Sequence, residues 1–459
     1  MTAAIVAVVV AATGCSGGGP DPDRPGPRRA VPCPDEADAA VLAEHSCHEV
    51  SVRRGVVIVV QVEPPAPSSA DPVVVLGTNL GSTVDYAGLA LIAQRTQRTT
   101  LLVALRGVPP SMPVLSCPEV TALTPAAAAD PTGTRPAVVA AVAECRRRLA
   151  ADGVDPAAFG VEALADDLHV VTEALSLRRV VALSAGTTGT VAVAWARRHP
   201  EDLAALVLDT PLLTNPPLRP HTDRLVARVS AACAAQRPCR TRHGDLRARW
   251  RERLSALARR PVQVTTPGGA VLAVDDDTLR RAVVWLAGGA RTGMAQLPTL
   301  LDETTTAHGG ELLTEFAERT LATPPYCVGY LPKCYADQLV YGAMLSANCP
   351  VLASDALWRD ICLAWGAETA APPSAAPSPV DVPALVLTGR YDDRATTARI
   401  RALLAPVLPG AFWVEDPAVG HNVLGGDCIR TVRSAWLAGD VDRPPVRPPC
   451  LRARALSFP

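Results

Sequence analysis

Two residues late in the chain, an acid and a histidine, sit where side chains can handle a proton. Leu385-Val386-Leu387-Thr388-Gly389-Arg390-Tyr391-Asp392 places Asp392 just past a short apolar run, and Val414-Glu415-Asp416-Pro417-Ala418-Val419-Gly420-His421 places His421 past the next one. A carboxylate that orients an imidazole makes it a general base, and that base then needs a nucleophile to activate. The nucleophile is expected in a sharp turn between a buried strand and a helix, where strain lifts its oxygen toward the base. The segment Val180-Val181-Ala182-Leu183-Ser184-Ala185-Gly186-Thr187-Thr188 lies between a strand-like and a helix-like stretch, with the hydroxyls of Ser184 and Thr187 on either side of Gly186. Glycine tolerates the left-handed backbone such a turn requires, but it carries no atom that can attack.

The elements that must position these residues alternate along the chain. Short β-branched runs at Val56–Val62, Val73–Leu76, Thr100–Leu105, Val180–Leu183 and Ala205–Leu208 read as strands. Between them, Ala87–Arg95, Glu162–Leu175 and Val191–Arg198 carry helical apolar spacing. Continuous apolar strands separated by helices predict a parallel sheet buried on both faces. From about Pro216 to Ala370 the pattern turns helical, at Leu225–Ala235, Leu246–Leu257 and Leu279–Leu286, with cysteine loops and no expected strand series. The Pro/Ala/Ser stretch 371–379 reads as a linker. Strands then return at Ala384–Leu387 and Phe412–Glu415, followed by a helix near Ile429–Leu437. The expected division is core over 33–215, helical cap insertion over 216–370, linker over 371–379 and the rest of the core over 380–459.

Several segments together resemble the exported tripeptidyl-aminopeptidase-like and proline-iminopeptidase-like serine peptidases of the α/β-hydrolase superfamily. "LVLTGRYDDRAT" is similar to that family's GxxDPxTP segment, and "PAVGHNVLGGDC" to its GxGHGVL…C. "CRRRLAADGVD" from Cys145, "WARRHPEDLAALVLD" from Trp195 and "LRGVPPSMPVLSCPE" from Leu105 add to the match, as does the Cys233/Cys239 loop; it spans about Cys33 to Leu451. The resemblance implies an α/β fold class: an α/β-hydrolase fold, with a mostly parallel central sheet flanked by helices and a helical, disulfide-rich cap. It also implies Asp392 and His421 as the catalytic acid and histidine.

Against the family's Gly-x-Ser-x-Gly, Ser184 takes the first glycine's place, Gly186 the serine's and Thr188 the last glycine's. Ser184 is the alternative nucleophile if the strand ends two residues early and the helix starts late. Thr187 is a second alternative, with a methyl that crowds the turn. On the oxyanion side, Thr78 and Asn79 stand within the family's HGGPG, and Thr187 follows the nucleophile position. After the following strand only Arg106, Gly107 and Ser111 keep the family's DQRGxGxS, and Ala104 departs. The expected function is a catalytically impaired, exported binding lipoprotein on a peptidase fold. The alternative is an active serine hydrolase, a peptidase or esterase, that uses Ser184 with His421 and Asp392.

Thirteen cysteines carry the compartment reading. Cys15 stands apart, and the others fall into the couples Cys33/Cys47, Cys117/Cys145, Cys233/Cys239, Cys327/Cys334, Cys349/Cys362 and Cys428/Cys450. Short loops closed by an even cysteine count predict disulfides in an oxidising compartment. The apolar run Ala3–Ala12, too short to span a bilayer, ends in Ala12-Thr13-Gly14-Cys15, which resembles a bacterial lipobox. Residues 1–15 are therefore expected to be a signal peptide, Cys15 a lipidation site and membrane anchor, and 16–32 a flexible tether. Abundant arginine, alanine and proline resemble the usage of a GC-rich, actinobacterial-like genome. Lys+Arg 44 against Asp+Glu 45 offers no polyanion-binding surface, so no nucleic-acid partner is expected. Neither GxxxxGK nor HExxH occurs, and no cofactor or metal is expected. The expected partner is a peptide or small acyl ligand.

Overall fold

The computed structural model describes residues 28–33, 45–76, 86–123, 133–213, 218–288, 293–306, 308–322, 341–352, 356–366, 378–392, 396–421, 426–453 and 456–458. Among the described residues eleven strands run in chain order: β1 (Arg29–Val31), β2 (His45–Val52), β3 (Gly55–Val62), β4 (Val73–Leu76), β5 (Thr100–Ala104), β6 (Val180–Ala185), β7 (Leu203–Asp209), β8 (Val262–Thr265), β9 (Val271–Val274), β10 (Ala384–Gly389) and β11 (Phe412–Asp416). Nine of them form one sheet in the order β1-β2-β3-β5-β4-β6-β7-β10-β11. From β5 to β11 every neighbouring pair is parallel, while β1, β2 and β3 join antiparallel at one end.

β4, β6, β7 and β10 are buried at every residue. Helices on both faces explain this. On one face Val180, Ala182, Leu206 and Leu208 pack with Trp195 of the helix Thr188–Arg198 and Leu168 of the helix Val161–Ala174. On the other, Val181, Leu183, Val207, Leu385 and Leu387 pack with Ile429 and Trp436 of the helix Asp427–Ala438 and with Ile92 of the helix Tyr86–Thr96. The chain leaves β4 for β5 on one side and β6 for β7 on the other. The sheet's order therefore reverses between β4 and β6, where ligand crevices form in open α/β sheets.

Two features of the sequence reading change. β1 pairs with β2 through Arg29↔Glu49, Ala30↔His48 and Val31↔Cys47, so the sheet begins inside the stretch expected as a tether. Within the insertion, where no strands were expected, β8 and β9 form an antiparallel hairpin around Pro267-Gly268-Gly269. The insertion also divides. Leu225, Trp250, Leu272, Val283, Leu300 and Phe316 share an apolar cluster of their own, with β8–β9 on it. The later helices Tyr341–Leu352 and Ala356–Trp365 instead pack into the core, where Ala343, Cys349, Cys362 and Trp365 join Leu115 and Cys145.

Among the described residues, five disulfides tie this arrangement together: Cys33–Cys47, Cys117–Cys145, Cys233–Cys239, Cys349–Cys362 and Cys428–Cys450. Cys327 and Cys334, like Cys15, lie outside the described residues. Among the described residues, no helix is long and apolar enough to cross a membrane.

Candidate active site

Gly186 is the first residue after β6, and the helix Thr188–Arg198 opens two residues later. Its φ of 58° is the left-handed turn a nucleophile elbow requires. Backbone bonds hold the turn: the Gly186 N–H donates to Asp209 O at 3.0 Å, and its carbonyl accepts from Leu212 N at 2.8 Å and Gly189 N at 3.2 Å. The Thr188 hydroxyl donates to Ala185 O at 3.0 Å, clamping the strand end to the helix start. Gly189 leaves room for Pro211, whose side chain a Cβ there would strike.

Ser184 does not reach this turn. β6 continues through Ala185, so the early strand end that a Ser184 elbow needs is not formed. Ser184 shares the sheet face of Ala182, its side chain is fully buried, and its hydroxyl meets no hydrogen-bond partner among the described residues. Thr187 is half-buried and starts the helical turn at φ −67°, ψ −28°. Its N–H belongs to the first turn, which has no intrahelical acceptor, the place where an oxyanion donor sits. Thr78 and Asn79 lie outside the described residues.

The acid and the histidine do meet. Asp392, just past β10, and His421, past β11, join through Nδ1···Oδ2 at 2.9 Å. The Asp392 side chain is fully buried and that of His421 is 4% exposed. With Nδ1–H donating to the carboxylate, Nε2 is the basic nitrogen. Burial pushes the His421 imidazole down to about 4, so it is neutral at pH 7. Two close backbone approaches bring these loops together. A Cβ on Gly389 would overlap Gly420 O, and one on Gly420 would overlap Ala287 O.

The cap grips both loops. The His421 N–H donates to Ala287 O at 2.9 Å, near the C-terminal end of the cap helix Asp276–Gly288. Arg228, on the cap helix Leu218–Ala235, donates to Arg390 O at 2.6 Å and Asp392 O at 3.1 Å. Tyr391, between those two carbonyls in sequence, buries itself in the cap's apolar cluster. Sequence reasoning missed Arg228 and Ala287. Each touches backbone far away in the chain, and neither belongs to a motif.

Arg106, Gly107 and Ser111, after β5, have structural work. Arg106 is buried, pairs with Asp167 at 2.8 Å and lies over the Phe159 ring at 4.6 Å. Burial raises Asp167 to about 6, against the pull of Arg106. Gly107 at φ 95° passes close to Ala343 and Phe159. The Ser111 hydroxyl donates to Ala104 O and accepts from Ile58 N, at 2.6 and 2.8 Å, which closes the loop onto β3.

The sheet order, the glycine elbow after β6 and the acid–histidine pair after β10 and β11 define an α/β-hydrolase fold. No protein-family model matches the chain, and no curated protein matches it. Among solved structures, it is similar to a proline iminopeptidase from Mycobacterium smegmatis at 17% identity and a TM-score of 0.42, over 86% of this chain and 99% of that one. A haloalkane dehalogenase from Agrobacterium tumefaciens is similar at 14% identity and a TM-score of 0.40, over 87% of this chain and 98% of that one. An epoxide hydrolase from Vigna radiata is similar at 14% identity and a TM-score of 0.40, over 86% and 97%.

Proposed function

We propose that this chain is an exported α/β-hydrolase-fold protein of the tripeptidyl-aminopeptidase-like kind that binds a peptide or small acyl ligand without cleaving it. The observation that carries this reading is Gly186 at the apex of the elbow with its left-handed φ of 58°, while Ser184 is sealed within β6. The Asp392–His421 pair is thus a general base with no side chain at the elbow's apex to deprotonate. Loss of a triad nucleophile leaves about 10³–10⁴-fold acceleration over water, from binding and the oxyanion hole alone. Five disulfides support export, since such bonds persist in oxidising compartments. Attachment to a membrane through lipid on Cys15 belongs to the same reading and rests on the sequence around that residue.

The test is covalent labelling. The purified chain, treated with a fluorophosphonate probe and mapped by peptide mass spectrometry, is expected to carry no adduct. Gly186→Ser is expected to gain an adduct at the introduced hydroxyl, slowly, because a base near pKa 4 is a weak one. Stoichiometric labelling of the wild-type chain at Ser184 would overturn the proposal in favour of an active serine hydrolase. A tripeptide p-nitroanilide tests the ligand: saturable binding in equilibrium dialysis with no nitroaniline release is expected, and turnover contradicts it.

A further inference from the structure

On the sheet face opposite the helix Asp427–Ala438, two histidines from different elements lie ring on ring. His169, on the helix Val161–Ala174, and His199, just past the helix Thr188–Arg198, stack with centroids 4.1 Å apart and planes 6° from parallel. Each ring has one nitrogen pinned by a carboxylate. His169 Nδ1 meets Asp202 at 3.0 Å, and Asp202 is itself held by the Trp195 indole N–H at 2.8 Å. His199 Nε2 meets Asp166 at 2.9 Å, and Asp166 is held by Arg198 through two bonds of 2.7 and 2.8 Å. Ionised carboxylates only accept, so the pinned nitrogens are the donors, and His169 Nε2 and His199 Nδ1 are the nitrogens in a metal ligand's place. Both remaining nitrogens face a mobile-length acid on the solvent side: Glu173 lies 3.7 Å from His169 Nε2, and Glu201 lies 3.7 Å from His199 Nδ1.

We infer that His169 and His199, with Glu201 and Glu173, form a surface site for a divalent transition metal of borderline softness, Zn²⁺ first. His169, His199 and Glu201 each place a donor atom within 4.8 Å of the others. Two imidazoles and two carboxylates match the donor preference of Zn²⁺. His169 and Glu173 are four residues apart on one helix, so they share a face. Asp202 and Asp166, behind the rings, supply the carboxylate–histidine support that metal-binding imidazoles use.

The parallel stack sets the affinity. An imidazole nitrogen binds a metal in its own ring plane, and the two planes here run parallel with centroids 4.1 Å apart rather than converging on one ion. Donors about 2 Å from a tetrahedral ion sit about 3.3 Å apart, so binding must turn one ring out of the stack and draw the acids in. The Glu173 and Glu201 side chains are 65% and 64% exposed and move without disturbing the core. Reorganisation of this kind costs affinity, and the site is expected to bind in the micromolar range.

Zn²⁺ titration of the purified full chain, by calorimetry or competition with a chromophoric indicator, tests this. One equivalent is expected to bind. Glu201→Gln and Asp166→Asn are each expected to weaken binding about tenfold or more, the first through a ligand and the second through a support. His308→Ala, at an exposed histidine on the cap, is expected to leave binding unchanged. Glu201 is exposed, so its variant tests the ligand without threatening the fold, and circular dichroism checks both variants. No binding up to millimolar Zn²⁺ overturns the assignment, as does wild-type affinity in both Glu201→Gln and Asp166→Asn.

Discussion

Burial of His421 governs both what the acid–histidine pair can do and how the fold responds to acid. The imidazole is pushed down to about 4 in the folded chain, while an unfolded histidine titrates near 6.5. Between those values the unfolded chain binds the extra proton and the folded one does not. Stability from this group is therefore fully present above about pH 6.5 and falls as the pH drops toward 4. A shift of about 2.5 units amounts to about 3 kcal/mol. Urea unfolding at pH 7 and at pH 4.5 should show that loss in the wild-type chain, and His421→Gln should lose markedly less over the same interval. Equal losses in the two proteins would separate the acid response from this residue. Asp392 and His421 were legible in the sequence because each follows a buried strand by a few residues. The depth of their burial was not, since the groups packed against their loops, Ala287 and the apolar cluster that buries Tyr391, come largely from the insertion.

At the scale of elements, the cap is fastened to the core at the two loops that carry the pair. Backbone packs on backbone there: Gly420 lies against Ala287, and Gly389 lies against Gly420. Gly420→Ala forces its methyl into Ala287 O, and overpacking of this kind costs about 1–3 kcal/mol. Gly410→Ala is the control, because a Cβ there meets nothing within 4 Å. Thermal unfolding should show the first variant destabilised and the second near wild type; equal transitions would mean that the cap–core contact bears no load. The core strands were legible because uninterrupted Val/Leu/Ala runs mark two-sided burial. β2 was not, because His45, His48 and Glu49 interrupt its apolar positions and leave only Cys47, Val50 and Val52 as a buried set. The β8–β9 hairpin did carry a signal, a Pro-Gly-Gly turn between two valine runs, within a region whose helices set the reading.

Across the whole molecule, disulfides connect pieces that the sheet alone does not hold. Spacing suggested disulfides and left their pairing open; five of the near-neighbour couples are bonded, and each closes a loop of modest length. Their contributions should differ with that length. Cys117–Cys145 closes 28 residues and joins the segment after β5 to the helix Arg135–Ala151, whereas Cys233–Cys239 closes 6 residues between adjacent cap helices. Restricting the unfolded chain is worth about 3.6 kcal/mol for the longer loop and about 2.2 for the shorter. All four sulfurs are buried, so packing losses in paired Cys→Ala variants are of the same kind and leave the loop term to set the order. Denaturant unfolding of the Cys117→Ala/Cys145→Ala and Cys233→Ala/Cys239→Ala chains should place the first below the second by roughly 1.4 kcal/mol. The reverse order would locate the stabilising role of these bonds in the cap, where Cys233–Cys239 sits beside the helix that carries Arg228 and so beside the grip on Asp392.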